Sequence, residues 1–394
     1  MNFPIMTDEF FQNPYPSYER MRAIHPLYKH ASGKYPGWYV TGYEEALNIL
    51  KDARFQNRSP LPPTASKYEG LKNSQNHMML FKNPPEHTRL RTLVGQAFSQ
   101  RAIEKYRTFI EETAHTLLKD SKKTGKLDVV TDFAFPLASL VIAKILGIPE
   151  KDRQAFRDWA FILIQGIDLT RTRFVLTEAN DTIVRLSSYF REFIQERKQR
   201  PQDDLVSLLT QTSETENGLT DDEIISTCIL LLIAGHETTV NLLSNAMVGL
   251  LHHPDQLAAL KANPSLIETA VEEFLRYESP TQMTARMASE DIELNGCLIQ
   301  KGEQVYVLLG AANRDPRKFL NPEKLDITRN PNPHLAFGYG THFCLGSTLA
   351  RMEARLALPA LLNEIPNFEL DSKNLPWRNL VGFRSLENLP IIFK

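Results

Sequence analysis

The sequence predicts a mainly α-helical fold with a small β portion, on three observations. Apolar residues recur at three-to-four spacing, the period of a helix with one buried face, over Thr88 to Phe98, Ile103 to Leu118, Phe135 to Leu146, Val184 to Arg197, Asp221 to His252, Leu266 to Tyr277 and Thr348 to Leu362. Strand-like patterning is confined to Gly37-Trp-Tyr-Val-Thr-Gly42 and to Ile292 to Leu309. A helix of about 30 residues opens at Thr220-Asp-Asp-Glu223, where a threonine precedes a glutamate by three as in a capping box, and it closes before Pro254. That length predicts an element crossing the whole domain.

Taken along the chain, Gly37 and Gly42 bracket the first strand, and the Pro84-Pro85 pair sets the start of the first of these helices. Pro60 to Ser66 and Thr212 to Gly218 are short loops flanked by patterned sequence, so residues 1–394 are expected to form a single domain. Net charge is −2, which offers no footprint for nucleic acid and no basic membrane anchor. Met1 to Phe10 lacks a basic region followed by an apolar one, against a signal peptide, and the longest apolar run, Cys228 to Gly235, is far shorter than the roughly 20 residues of a membrane helix. Cys228, Cys297 and Cys344 are too few and too scattered for a disulfide framework or a zinc site. A soluble, cytoplasmic protein is expected, with no nucleic-acid or membrane partner.

One cysteine stands apart from the others. In Phe337-Gly-Tyr-Gly-Thr-His-Phe-Cys-Leu-Gly346 it is ringed by glycines just before an amphipathic helix. Glycines allow close backbone approach, and helix N-terminal amides lower a thiol pKa and favour metal ligation. The bland alternative is a turn holding a buried, inert thiol.

Phe337-x-x-Gly340-x-His342-x-Cys344-x-Gly346 resembles the haem-binding signature of the cytochrome P-450 superfamily. The resemblance implies haem b as cofactor, with Cys344 as proximal ligand and sole metal ligand, its thiolate pushing electron density onto the iron. It also implies a triangular, mostly helical prism with the haem between the long central helix and the helix after the cysteine loop. Cys228 and Cys297 match no ligand position and are assigned to packing.

Within the long helix, Ala234-Gly-His-Glu-Thr-Thr239 interrupts an apolar run with groups that are costly to bury, so it is a packing kink, a satisfied polar patch or a functional segment. It resembles the family's oxygen-binding segment. By that resemblance Ala234 and Gly235 lie against the cofactor, in a groove opened by the glycine, and Glu237 and Thr238 guide protons to the oxygen site. Glu273-Phe-Leu-Arg276 resembles the family's Glu-x-x-Arg pair, with Arg329 as its third member; Leu325 stands where a phenylalanine is common. This group is expected to be structural.

Two haem propionates require cations or strong donors when buried. His87 and Arg91, four apart and therefore on one helix face, are propionate ligands by resemblance, joined by Arg286 and His342. Without the resemblance they would read as a solvated basic face. Arg89 lies off that face.

The reaction implied is a monooxygenation. Only about fifty residues follow Cys344, so a separate ferredoxin or flavodoxin with its reductase is the expected electron donor. Arg351, Arg355, Arg101 and Lys105 could offer it a docking face, or be ordinary surface charges. Phe55 to Phe81 and Ala160 to Asn180 are expected to read the substrate. Asn76 to Phe81, Tyr277 to Arg286 and Gly382 to Leu389 look similar to the biotin-pathway members that oxidise long fatty acyl chains, free or bound to an acyl carrier. A macrolide, steroid or other polycyclic substrate is the alternative. A peroxide-driven peroxygenase or a non-catalytic haem sensor is the rival class, and Glu237 and Thr238 argue against both because neither needs proton delivery.

Overall fold

The computed structural model describes residues 6–31, 35–57, 61, 66–119, 121–168, 170–212, 217–365, 367–372 and 374–393. The long helix begins at its cap. The amide of Glu223 donates to Thr220 Oγ1 at 3.2 Å and the amide of Thr220 donates to the Glu223 carboxylate at 2.9 Å, satisfying donors that a helix start leaves free. The helix then runs Asp221–His252, 32 residues, or about 48 Å at 1.5 Å per residue. It is apolar nearly all round because Phe135–Leu146, Arg153–Ile167, Arg173–Gln199 and Ser347–Glu364 pack against it. Leu242, Leu243 and Leu250 share one core with Leu137, Val141, Leu358 and Leu361. Val129–Leu146 and Asp221–His252 are long and apolar enough to cross a membrane, yet most of each is buried inside the protein, as core helices are.

Strands occupy one side. Leu27–His30, Gly37–Val40, Gln304–Leu308, Met283–Ala288 and Phe55–Gln56 pair in that order, antiparallel except for the Gly37–Val40 contact with Gln304–Leu308. The expected strand stretch from Ile292 to Leu309 divides into three, because Asn295-Gly296, both at positive φ, turn Ile292–Leu294 back onto Cys297–Ile299 before Gln304–Leu308 begins. A second sheet orders Lys126–Asp128, Pro390–Phe393 and Phe368–Leu370.

The predicted helices are present with shifted bounds. Ile103 to Leu118 breaks into Gln100–Glu104 and Arg107–Lys119, and Val184 to Arg197 is the second half of Arg173–Gln199. Tyr15–Ile24, Tyr43–Lys51, Glu69–His77, Arg153–Ile167 and Pro254–Ala262 were not anticipated.

The Glu-x-x-Arg group is where its pattern puts it, and it is structural in its contacts. Glu273 and Arg276 are fully buried. Arg276 donates to the Glu273 carboxylate at 2.7 and 2.8 Å and to the carbonyls of Asn313, Pro322 and Lys324 at 2.9 to 3.0 Å. Glu273 also accepts from Arg329 Nε at 3.1 Å, from Asn332 at 3.0 Å and from the Asp326 amide at 2.9 Å. Buried charges persist only when paired and fully hydrogen-bonded, and this set meets that condition. Leu325 is buried in the main core and does not disturb the contact to Arg329.

Candidate active site

The cysteine loop is shaped by its glycines. Gly338 and Gly340 have φ of +68° and +72°, and a Cβ on Gly340 would lie 2.4 Å from the Leu50 carbonyl oxygen. The Cys344 amide donates to the Phe337 carbonyl at 2.9 Å and closes the loop just ahead of Ser347–Glu364. Arg351, one turn into that helix, lies over the Phe337 ring at 4.5 Å and is held by Glu272 at 2.7 Å through two nitrogens.

Burial pushes the Cys344 thiol up, against the amide of Gly346 and the charges of Arg91 and Arg351, which pull it down. The expected net lowering is therefore not found in the protein alone. The Gly346 amide and the two arginines offset desolvation only in part. Cys228 is wholly buried and its thiol is pushed far up, while Cys297 is half-buried with its sulfur 4.0 Å from His25 Nδ1.

Beside the loop lies the basic group anticipated from three separate stretches of sequence. Helix Glu86–Gly95 presents Arg91, which donates to the Phe343 carbonyl at 2.6 Å, and His87, whose ring centre is 4.0 Å from that of His342. Arg286, from strand Met283–Ala288, is 6% exposed and donates to Thr284 Oγ1 and the Ala285 carbonyl. Burial lowers its guanidinium to about 10. His342 is lowered to about 3 by burial and by His87, Arg286 and Arg91, so charges from all three predicted partners converge on it. His87 Nε2 is buried without a partner. Among the described residues none of the four pairs with a carboxylate. Arg89, set aside above, turns the other way and pairs with Glu223 of the central-helix cap.

Opposite the loop, the central helix has one open stripe in its middle. Leu230, Leu231, Gly235 and Thr238 are partly exposed and Ala234 is exposed, although the surrounding turns are buried. These positions follow the three-to-four period, so the stripe is one accessible face of the helix. Thr238 Oγ1 donates to the Ala234 carbonyl at 2.7 Å. Gly235 has a packing reason: a Cβ there would meet Ile142 Cδ1 at 2.2 Å. Glu237 is 3% exposed, off the open stripe, and accepts a hydrogen bond from Ser385 Oγ in the C-terminal segment, the partner a buried carboxylate needs.

The chain matches the model of the cytochrome P450 family over residues 9–380. The chain belongs to the cytochrome P450 family. It is 57% identical over 388 residues to the biotin biosynthesis cytochrome P450 of Bacillus subtilis (strain 168), covering 98% of each chain. It is 39% identical to the polyketide biosynthesis cytochrome P450 PksS of the same organism, covering 97% of this chain and 96% of that one. Among solved structures, P450BioI in complex with hexadec-9Z-enoic acid ligated acyl carrier protein superposes with a TM-score of 0.95 at 56% identity, covering 98% of this chain and 100% of that one. CYP109E1 from Bacillus megaterium in complex with testosterone gives 0.89 at 34% identity, covering 98% and 100%. Membership makes this P450 a haem-dependent monooxygenase with haem b as cofactor.

The residues present fit that cofactor. A buried guanidinium, two histidines and a second arginine with no carboxylate of their own leave an anion to be supplied, and a haem brings two. Of the cations suggested as a docking face, Arg351 pairs with Glu272, Arg355 with Glu268 and Glu272, and Lys105 with Asp203, each remaining charged, while Arg101 is exposed.

Proposed function

We propose that this P450 oxidises a long fatty acyl chain delivered on an acyl carrier protein, acting as a single cytoplasmic domain with electrons from a ferredoxin or flavodoxin and its reductase. The observation that carries the substrate class is the 57% identity to a biotin biosynthesis P450, joined to a 0.95 superposition on a structure holding an acyl carrier ligand. The open stripe on the central helix, lined by Leu230, Leu231 and Ala234, suits an apolar chain.

Haem, when bound, supplies the dioxygen chemistry that inserts one oxygen atom into the substrate. Cys344 would hold it through its sulfur. His87, Arg91, Arg286 and His342 would hold the propionates, and Ala234 and Gly235, on the open face of the central helix, would line the site. Thr238 presents its hydroxyl on that face, and Glu237, steadied by Ser385, passes protons toward it from behind the stripe.

A spectral titration tests the substrate. A hexadecenoyl acyl carrier protein should shift the haem Soret band at lower concentration than the free acid does, and testosterone should do so weakly. A shift with the steroid alone would favour the polycyclic alternative, which the likeness to PksS and CYP109E1 keeps as the second reading.

A further inference from the structure

Asn57 follows the short strand Phe55–Gln56 and is 8% exposed. The side chain of Asn83 clamps its backbone from both sides: the Asn57 amide donates to Asn83 Oδ1 at 2.9 Å, and Asn83 Nδ2 donates to the Asn57 carbonyl at 2.8 Å. The Asn83 carbonyl in turn accepts from the amide of His87 at 3.0 Å. One residue thus fastens Asn57 to the helix that carries His87 and Arg91.

The side chain of Asn57 points the other way. Its Nδ2 lies 2.7 Å from the Leu80 carbonyl oxygen and 3.2 Å from His342 Nδ1. A carbonyl only accepts, so the amide atom facing Leu80 is the nitrogen; the flipped rotamer would press two oxygens together. That orientation leaves Asn57 Oδ1 buried without a partner, a smaller cost than an oxygen-to-oxygen contact. The nitrogen carries two protons. One serves Leu80, and the second meets His342 Nδ1, which must therefore offer a lone pair. A neutral imidazole has one donor and one acceptor, so an accepting Nδ1 leaves the proton on Nε2.

We propose that Asn57 is a positioning residue that fixes the tautomer of His342, making Nε2 the hydrogen-bond donor presented to the haem propionate. This rests on the reading of His342 as a propionate ligand. Without Asn57 the ring can place its proton on either nitrogen and turn, and half of its states offer the propionate a lone pair in place of a proton.

The test is nitrogen-15 spectroscopy of the imidazole rings in the reduced, carbon monoxide-bound holoenzyme, which is diamagnetic, with the His342 signals identified by their loss in His342→Gln. The expected result is a bare Nδ1 and a protonated Nε2 in the wild-type protein. In Asn57→Leu, or in Asn57→Ala should leucine prevent folding, both tautomers should appear, and haem transfer to excess apomyoglobin should be about tenfold faster, the effect of one strong hydrogen bond. A wild-type ring protonated on Nδ1 overturns the proposal whatever the variants do, as does an unchanged tautomer in a folded Asn57 variant. His342→Gln separates the two layers: unaltered haem transfer there removes the propionate reading itself, whereas faster transfer with the wrong wild-type tautomer removes only the role of Asn57.

Discussion

Cys344, Thr238 and the four basic residues each carry a proposed role that substitution can test. Cys344 alone of the three cysteines combines a glycine loop, a helix start and two nearby arginines. Cys344→Ser should therefore lose the red-shifted carbon monoxide spectrum of the reduced protein, while Cys228→Ser and Cys297→Ser keep it. Removing Arg91 and Arg286 together should speed haem transfer to apomyoglobin by about a hundredfold or more, since bonds to charged groups contribute about 1.5–3 kcal/mol each and two are lost. Unchanged transfer would return both arginines to ordinary packing. In Thr238→Ala, reducing equivalents should still be consumed with substrate bound, but hydrogen peroxide should rise and product per electron fall by about tenfold or more. Preserved coupling with weakened substrate binding would make Thr238 a pocket residue instead. These residues were legible because each sits in a local spacing pattern. Asn57 and Ser385 were not: their partners lie 285 and 148 positions away, and no short-range pattern announces a contact made only by folding.

Two stretches of helix with apolar residues on more than one side were not read from their pattern. Arg153–Ile167 contains the unbroken run Phe161-Ile-Leu-Ile164, with Phe161 exposed, and the first turn of Arg173–Gln199 exposes Phe174 to 69%. The end of the first and the start of the second fall in Ala160 to Asn180, the stretch expected to read the substrate, where a clean three-to-four pattern is lost. The helix after the cysteine loop is tied down by a different device. Burial would raise Glu272, but hydrogen bonds from His334 at 3.1 Å and from Arg351 at 2.7 Å outweigh it and bring the carboxyl to about 2. A carboxylate lowered on folding stabilises fully above its ordinary value near 4.5, and that contribution is lost as pH falls toward 2. Glu272→Gln should therefore destabilise by about 1–3 kcal/mol at neutral pH and flatten the stability profile between pH 4.5 and 2. Equal pH dependence in both proteins, measured by urea unfolding, would mean that the ion pair contributes nothing.

At the scale of the whole molecule, the long helix and the cysteine loop enclose the site between them, and the β-sheet contributes Arg286 from its Met283–Ala288 strand. That arrangement could not be derived from periodicity, which gives elements without their relative placement; it entered through the resemblance carried by the cysteine signature. The proposed chemistry needs an apolar chain brought to the open stripe of the central helix, and the carrier protein would determine how that chain enters. The most direct measurement is a competition in one vessel, with purified enzyme, one ferredoxin or flavodoxin chain, and equal concentrations of hexadecenoyl acyl carrier protein, the free hexadecenoic acid and testosterone, read as relative kcat/KM from product formation. The account predicts the carrier-bound chain to be favoured over the free acid by about tenfold or more, about 1.4 kcal/mol of added transition-state binding, with the steroid last. Preference for testosterone, or equal use of free and carrier-bound chains, would contradict it.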